Sequence, residues 1–147
     1  MRSRTGGFSL IELVIALLVG GILVSIASPG ISGARARYAV TGARGAFTAL
    51  HARARAQAIE RGTSVRLIVD TAGDSVSLSS GGQVLETVRF AGDQNVDITA
   101  TPSTVVLCMT PRGYADTDCN NFSVASVITF SQNAESAMVV LLPPRRW

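Results

Sequence analysis

A single carboxylate, Glu12, sits four residues into an apolar run, residues 8–27 (FSLIELVIALLVGGILVSIA), that carries no other charge. A carboxylate costs a few kcal/mol near a bilayer centre, and somewhat less near the interface, unless it finds a partner. Something in the life of this protein must therefore neutralise Glu12. Further along, Cys108 and Cys119 stand eleven positions apart with turn formers between them and no CxxC or His cluster nearby. A metal site is therefore not expected. If this part of the chain lies outside the cytoplasm, a disulfide fits, and a loop this short would contribute about 2–3 kcal/mol. One buried and one exposed thiol is the other reading. Asp116, Asp118, Asn120 and Asn121 lie in the same loop but lack the spacing and closing Glu of a calcium loop. No GxSxG, HExxH, phosphate-cradling glycine loop or Cys/His pair occurs, so neither catalysis nor a cofactor is expected.

These residues belong to a chain of 147 residues, enough for one domain once the apolar segment is set aside. The net charge of +3 hides an asymmetry: residues 1–61 carry +6 and residues 62–147 carry −3. All 13 basic residues are Arg, a bias that genome composition explains as well as chemistry does. The run 8–27 holds twenty residues, and at a rise of about 1.5 Å each a helix of them spans the roughly 30 Å hydrocarbon core. Arg2 and Arg4 precede it, which places the N-terminus in the cytoplasm and the remainder across the membrane. A secretory signal peptide cut after Ser25-Ile26-Ala27, a plain anchor, and a segment that uses Glu12 are the three readings. Only the last gives the carboxylate a role.

Gly7-Phe8-Ser9-Leu10-Ile11-Glu12, with a basic leader before it and an apolar stretch after it, resembles the class III prepilin signal. That signal is shared by type IV pilins and the pseudopilins of type II secretion. The resemblance implies cleavage between Gly7 and Phe8 by prepilin peptidase and N-methylation of Phe8. It also implies retention of the apolar segment as a membrane helix that becomes the filament core. Glu12 would pair with the terminal amine of a neighbouring subunit.

Pro29 follows the apolar run, with Gly20, Gly21 and Gly30 around it. Pro removes a backbone donor and Gly weakens a helix, so the helix either ends there or continues with a kink. The resemblance favours the kink. From Ser32 the chain is rich in Ala and Arg up to Gly62, a favourable helix stop. Ala36, Val40, Ala43, Phe47, Leu50, Ala54 and Ala58 fall on one helical face, a stripe expected to pack on the domain. Arg37, Arg44 and Arg55 flank it, and Arg35 and Arg53 project further round, as a solvated face or a contact with neighbouring subunits or an acidic partner. His51 is expected to be a structural or surface residue and not a ligand.

Beyond Gly62 the period becomes two. Residues 64–70, 75–79, 83–90, 96–100, 104–109, 123–130 and 137–142 read as strands, with short turns at Ala72-Gly73-Asp74 and Ser80-Gly81-Gly82. The expected fold class is α+β: a long N-terminal helix, membrane-spanning in its first half, packed on an antiparallel sheet domain. The expected divisions are a leader (1–7), a membrane and filament-core helix (8–28), its amphipathic continuation (29–62) and a β-rich periplasmic domain (63–147).

The layout resembles the GspH/FimT group of minor pilins and pseudopilins, with a late Pro111-Arg112-Gly113 turn and an arginine-bearing end. That resemblance implies a GspH-like subunit of a type II secretion pseudopilus in the inner membrane, partnered by other pseudopilins and by lipid. The alternative is a FimT-like minor pilin in pilus assembly or DNA uptake, with Arg112, Arg145 and Arg146 as candidate DNA contacts. The Gly-Arg-x-Arg motif of DNA-binding members is absent, and the end reads Pro143-Pro144-Arg145-Arg146-Trp147. A frayed tail is the plainer reading. An ordinary secreted or membrane-anchored binding domain is the remote one.

Overall fold

The computed structural model describes residues 9–93 and 95–143. Gly7, Phe8, Arg145 and Arg146 lie outside them. The chain divides into two units, Met1–Arg35 and Ala36–Trp147, and one helix, α1 (Leu10–Arg61), contributes to both.

In the first unit α1 starts with Glu12 in its opening turn, where the Glu12 and Leu13 amides donate to the Ser9 carbonyl at 3.0 and 3.2 Å. The helix is unbroken at position 29, which sets aside the reading in which it ends at Pro29. A proline inside a helix leaves the carbonyl four residues back without its usual donor. The run contains a stretch long and apolar enough to cross a membrane, and none of that stretch is buried by the rest of the chain.

The second unit is built on the other half of α1. Every member of the stripe from Ala36 to Ala58 is buried, and Ala43, Ala54 and Ala58 are fully so. Three alanines at such positions let backbone approach sheet closely without cost in helix propensity. Helix α1 stops at Gly62, whose φ of 63° is the left-handed conformation glycine accepts readily.

Seven strands follow: β1 (Val65–Asp70), β2 (Ser75–Ser80), β3 (Gln83–Arg89), β4 (Asp97–Thr101), β5 (Thr104–Met109), β6 (Ser126–Gln132) and β7 (Glu135–Leu141). A single helical turn, α2 (Phe90–Asp93), joins β3 to β4. All strand pairs are antiparallel, but they form two sheets in the orders β3-β2-β1-β5 and β4-β6-β7. One sheet was expected. The split follows from α2, which ends the β3 meander at Phe90 and starts a new sheet with β4. Phe90 was expected to close the third strand, and instead it turns into the core with no exposed surface.

Alternation sorts the faces as sheet geometry requires. Val65, Leu67 and Val69 of β1, Val76 and Leu78 of β2, Val105 and Leu107 of β5, and Ile128 and Phe130 of β6 are buried. Phe130 joins the layers: its ring centroid lies 5.8 Å from Phe47 of α1 and 5.7 Å from Phe90. Burying each such side chain stabilises the fold by about 1.5–3 kcal/mol. Asp74 ties the two sheets together. Its carboxylate accepts the Ile98 amide of β4 at 2.7 Å and its carbonyl accepts the Phe90 amide at 2.9 Å.

Strand β5 is an edge of its sheet, yet its outer side is not open. The Asn121 side chain accepts the Val106 amide and donates to the Thr104 carbonyl, both at 2.8 Å. The Asn120 side chain accepts the Cys108 amide, and the Asp116 amide donates to the Cys108 carbonyl at 2.9 Å. Two asparagine side chains thus stand in for a neighbouring strand. Replacing Asn121 with Ala is expected to cost about 1–2 kcal/mol by orphaning these backbone groups. Amide exchange at Val106, followed by mass spectrometry on the full chain in detergent, should accelerate. An unchanged rate would show that the asparagine does not seal the edge.

Candidate functional site

The first functional surface is the N-terminal half of α1. Leu10, Ile11, Leu17, Leu18, Leu23, Val24 and Ile26 are each more than 60% exposed, and a helix this apolar on all sides requires lipid or other helices around it. Glu12 is also exposed and has no ion-pair partner among the described residues. At the start of a helix its charge is favoured by the helix dipole, but that contribution is smaller than the penalty of placing a carboxylate in hydrocarbon. The carboxylate thus stands on an apolar helix with no ion-pair partner beside it among the described residues.

The second is the bridged loop. Cys108 and Cys119 form a disulfide with their Cα atoms 5.8 Å apart, inside the usual range for a bridge. Between them the chain turns back. The Thr110 amide donates to the Tyr114 carbonyl and the Gly113 amide to the Thr110 carbonyl, both at 2.8 Å, and Met109 pairs with Ala115 in an isolated bridge. Asn120 and Asn121 have their carbonyl oxygens turned to β5, which is where the weak calcium set of the sequence goes. Among the described residues no cluster of His, Cys, Asp or Glu could hold a metal ion.

Residues 2–28 match the family described as the prokaryotic N-terminal methylation motif. No curated protein matches the chain. Among solved structures, the Pseudomonas aeruginosa type IV minor pilin FimU is similar in fold, with a TM-score of 0.52 at 14% identity. That likeness covers 74% of this chain and 90% of FimU. A second crystal form of FimU aligns over 71% of this chain and 92% of its own, with a TM-score of 0.48 at 14% identity. The chain thus carries an N-terminal methylation motif over residues 2–28 and shares the fold of that minor pilin.

On the C-terminal half of α1 the arginine face divides. Arg37 pairs with Glu135 at the start of β7 at 2.9 Å, and Arg53 pairs with Glu86 of β3. Both pairs are substantially exposed and each contributes about 0–1 kcal/mol, so they orient the helix on the sheets more than they stabilise it. Neither partner was evident from helical spacing, because both glutamates lie in distant strands. Arg44 and Arg55 make no ion pair among the described residues.

Arg55 instead lies against the Pro111-Arg112-Gly113 turn. Gly113 is buried with φ 77°, and a Cβ built on it would meet Ile59 Cδ1 at 2.8 Å and Arg55 Nε at 3.1 Å. Arg112 is exposed beside it. The Ile59 contact is the far end of a side chain that can move, so backbone strain is the larger cost. Gly113→Ala is expected to lower stability by about 1–2 kcal/mol in chemical denaturation, and Gly113→Asn, which tolerates the left-handed region, by less. Equal losses would assign the cost to the steric contact.

His51, half-buried on α1, has its pKa lowered from the ordinary 6.5, first by burial and then by the Arg55 charge. The folded state therefore resists protonation that the unfolded chain accepts. Stability should be fully present above pH 6.5 and fall as the pH drops below it. His51→Gln should flatten that part of the pH–stability curve measured on the full chain, and an unchanged slope would assign it to other groups.

Proposed function

We propose that this pilin-like protein is a minor, non-catalytic subunit of an inner-membrane-anchored filament. Prepilin peptidase removes residues 1–7, Phe8 becomes the methylated N-terminus, and the β-rich domain lies on the periplasmic side. Apolar helices bundle in the filament core, and Glu12 meets the Phe8 amine of a neighbour. The observation that carries the reading is the uncovered apolar helix bearing one unpaired carboxylate. Residues with that exposure are stable only when lipid or other helices surround them, and the carboxylate makes the surrounding cation specific.

In its narrower form the proposal is a GspH-like pseudopilin supporting protein export. The second reading, a FimT-like minor pilin of a pilus or DNA-uptake system, is favoured by the fold similarity to FimU, described as a type IV minor pilin. Deleting the gene should abolish export of folded proteins in the first case. In the second it should reduce piliation or DNA uptake while leaving export intact. Under the second reading, Arg112, with Arg145 and Arg146, would be the first cations to test for DNA contact.

Glu12→Ala tests the shared core of both readings. The variant should be cleaved and remain in the membrane, while its incorporation into filaments falls roughly tenfold or more, equivalent to about 1.4 kcal/mol. Fractionation with immunodetection reads the result. Normal incorporation would remove Glu12 from the mechanism.

A further inference from the structure

Helix α1 presents arginines to the domain, and the domain answers them in two ways. Where Arg37 and Arg53 meet the strands a glutamate is in place, Glu135 of β7 and Glu86 of β3. Where Arg55 meets the bridged loop, no carboxylate stands within ion-pair distance among the described residues. The loop brings a second cation instead. Arg55 Nε lies 3.1 Å from where a Cβ of Gly113 would stand, and Gly113 is preceded by Arg112 and followed by Tyr114. Both arginines are exposed, and so are Tyr114 and Ile59, at 69 and 53%.

The acids nearby do not compensate this pair. Asp116 accepts the Asp118 amide at 3.0 Å, and Asp118 accepts the Thr117 hydroxyl at 3.4 Å. On α1 the nearest acid in sequence, Glu60, is turned about 140° away from Arg55 by helical geometry. Like charges placed together raise the free energy of the folded chain unless an anion is shared between them. The charge of Arg55 is felt locally, since it is the second cause of the lowered His51 pKa. Gly113, having no side chain, lets Arg55 lie against the turn, so an arriving anion meets a guanidinium already positioned.

We infer that Arg55, Arg112, Tyr114 and Ile59 form a docking surface for a short acidic segment of a different filament subunit. Its carboxylates take the two guanidiniums, each of which donates hydrogen bonds in a fork, and its flanking side chains cover Tyr114 and Ile59. Arginine and tyrosine beside an apolar group are the side chains that most often anchor protein contacts. The inference rests on the filament reading above, under which a minor subunit has other subunits as its neighbours. A second copy of this chain is the poorer donor. Its Glu86 and Glu135 are paired with arginines, and its Asp70 and Asp74 accept the Ala72 and Ile98 amides. Outside α1 it offers Asp97, one exposed carboxylate against two arginines, and on α1 its Glu60 comes with Arg61 beside it. A nucleic-acid backbone is the other polyanion. It carries a charge on every nucleotide and needs a continuous cationic track, which Asp116 and Asp118 interrupt here.

The chain holds no lysine, so Arg112→Lys adds its only side-chain amine. Carbodiimide joins an amine to a carboxylate in contact with it, and is applied to the cell envelope of a strain carrying this full-length variant. Mass spectrometry should find an amide from position 112 to an Asp or Glu of another subunit. Adding Arg55→Glu should lower its yield about tenfold. Adding Arg44→Glu, at an exposed arginine of the same helix, should change it by less than about twofold. An adduct to a second copy, an adduct to Asp116 or Asp118 of the same chain, or no adduct would each overturn the inference. Equal losses from the two added substitutions would do so too, as would retardation of duplex DNA by the full chain in detergent that Arg55→Glu abolishes. Fractionation of the unaltered chain separates the causes. Its presence in filaments without the adduct removes the docking surface alone, and its absence from them removes the filament reading.

Discussion

Phe47, projecting from α1, packs on Phe130 of β6, and Phe130 packs in turn on Phe90, where the chain leaves the first sheet. Three segments far apart in sequence meet through these two aromatic contacts. The rest of the second unit arranges itself around them. Ala43, Ala54 and Ala58 bring the helix backbone close to the strands, and Val65, Leu67 and Val69 of the central β1 fill the space beneath. The helix must stay regular through this region for the stripe to remain on one face, because a shift of one residue turns it by about 100°. That requirement accounts for the regular helix from Ala36 to Ala58. The C-terminal half of α1 is fixed by packing, and the apolar stretch of its N-terminal half is not buried by the rest of the chain.

A domain this small also has to control its sheet edges, and the bridged loop does this for β5. The disulfide fixes where residues 109–120 return, so that Asn120 and Asn121 arrive opposite the free backbone groups of 104–108. Gly113 lets the same loop lie flat on α1. Staple, edge seal and helix contact are therefore one arrangement. The side-chain hydrogen bonds of Asn120 and Asn121 fit a stapled connection.

Much of this was legible in the residues. The stripe from Ala36 to Ala58 follows from spacings of three and four, and each strand expected beyond Gly62 overlaps an observed one. These patterns are local, and local periodicity is what burial on one face imposes. What the sequence did not disclose is set by contacts between distant segments. Residues 123–125 look strand-like but precede β6, which starts at Ser126, and Phe90 leaves its strand because the core needs its ring. The separation into two sheets, the pairing of Arg37 with Glu135 and of Arg53 with Glu86, and the role of Asn120 and Asn121 all depend on topology. No period in the sequence encodes them.

The central claim is that residues 8–27 stay with the protein and serve in assembly, and the chemical identity of the mature N-terminus tests it most directly. Mass spectrometry of the chain recovered from the filament fraction should find an N-terminal peptide beginning at Phe8 and carrying one added methyl group. A mature chain that begins after Ala27, or one that retains Met1, would contradict the account, because neither places a methylated amine where Glu12 of a neighbour can meet it.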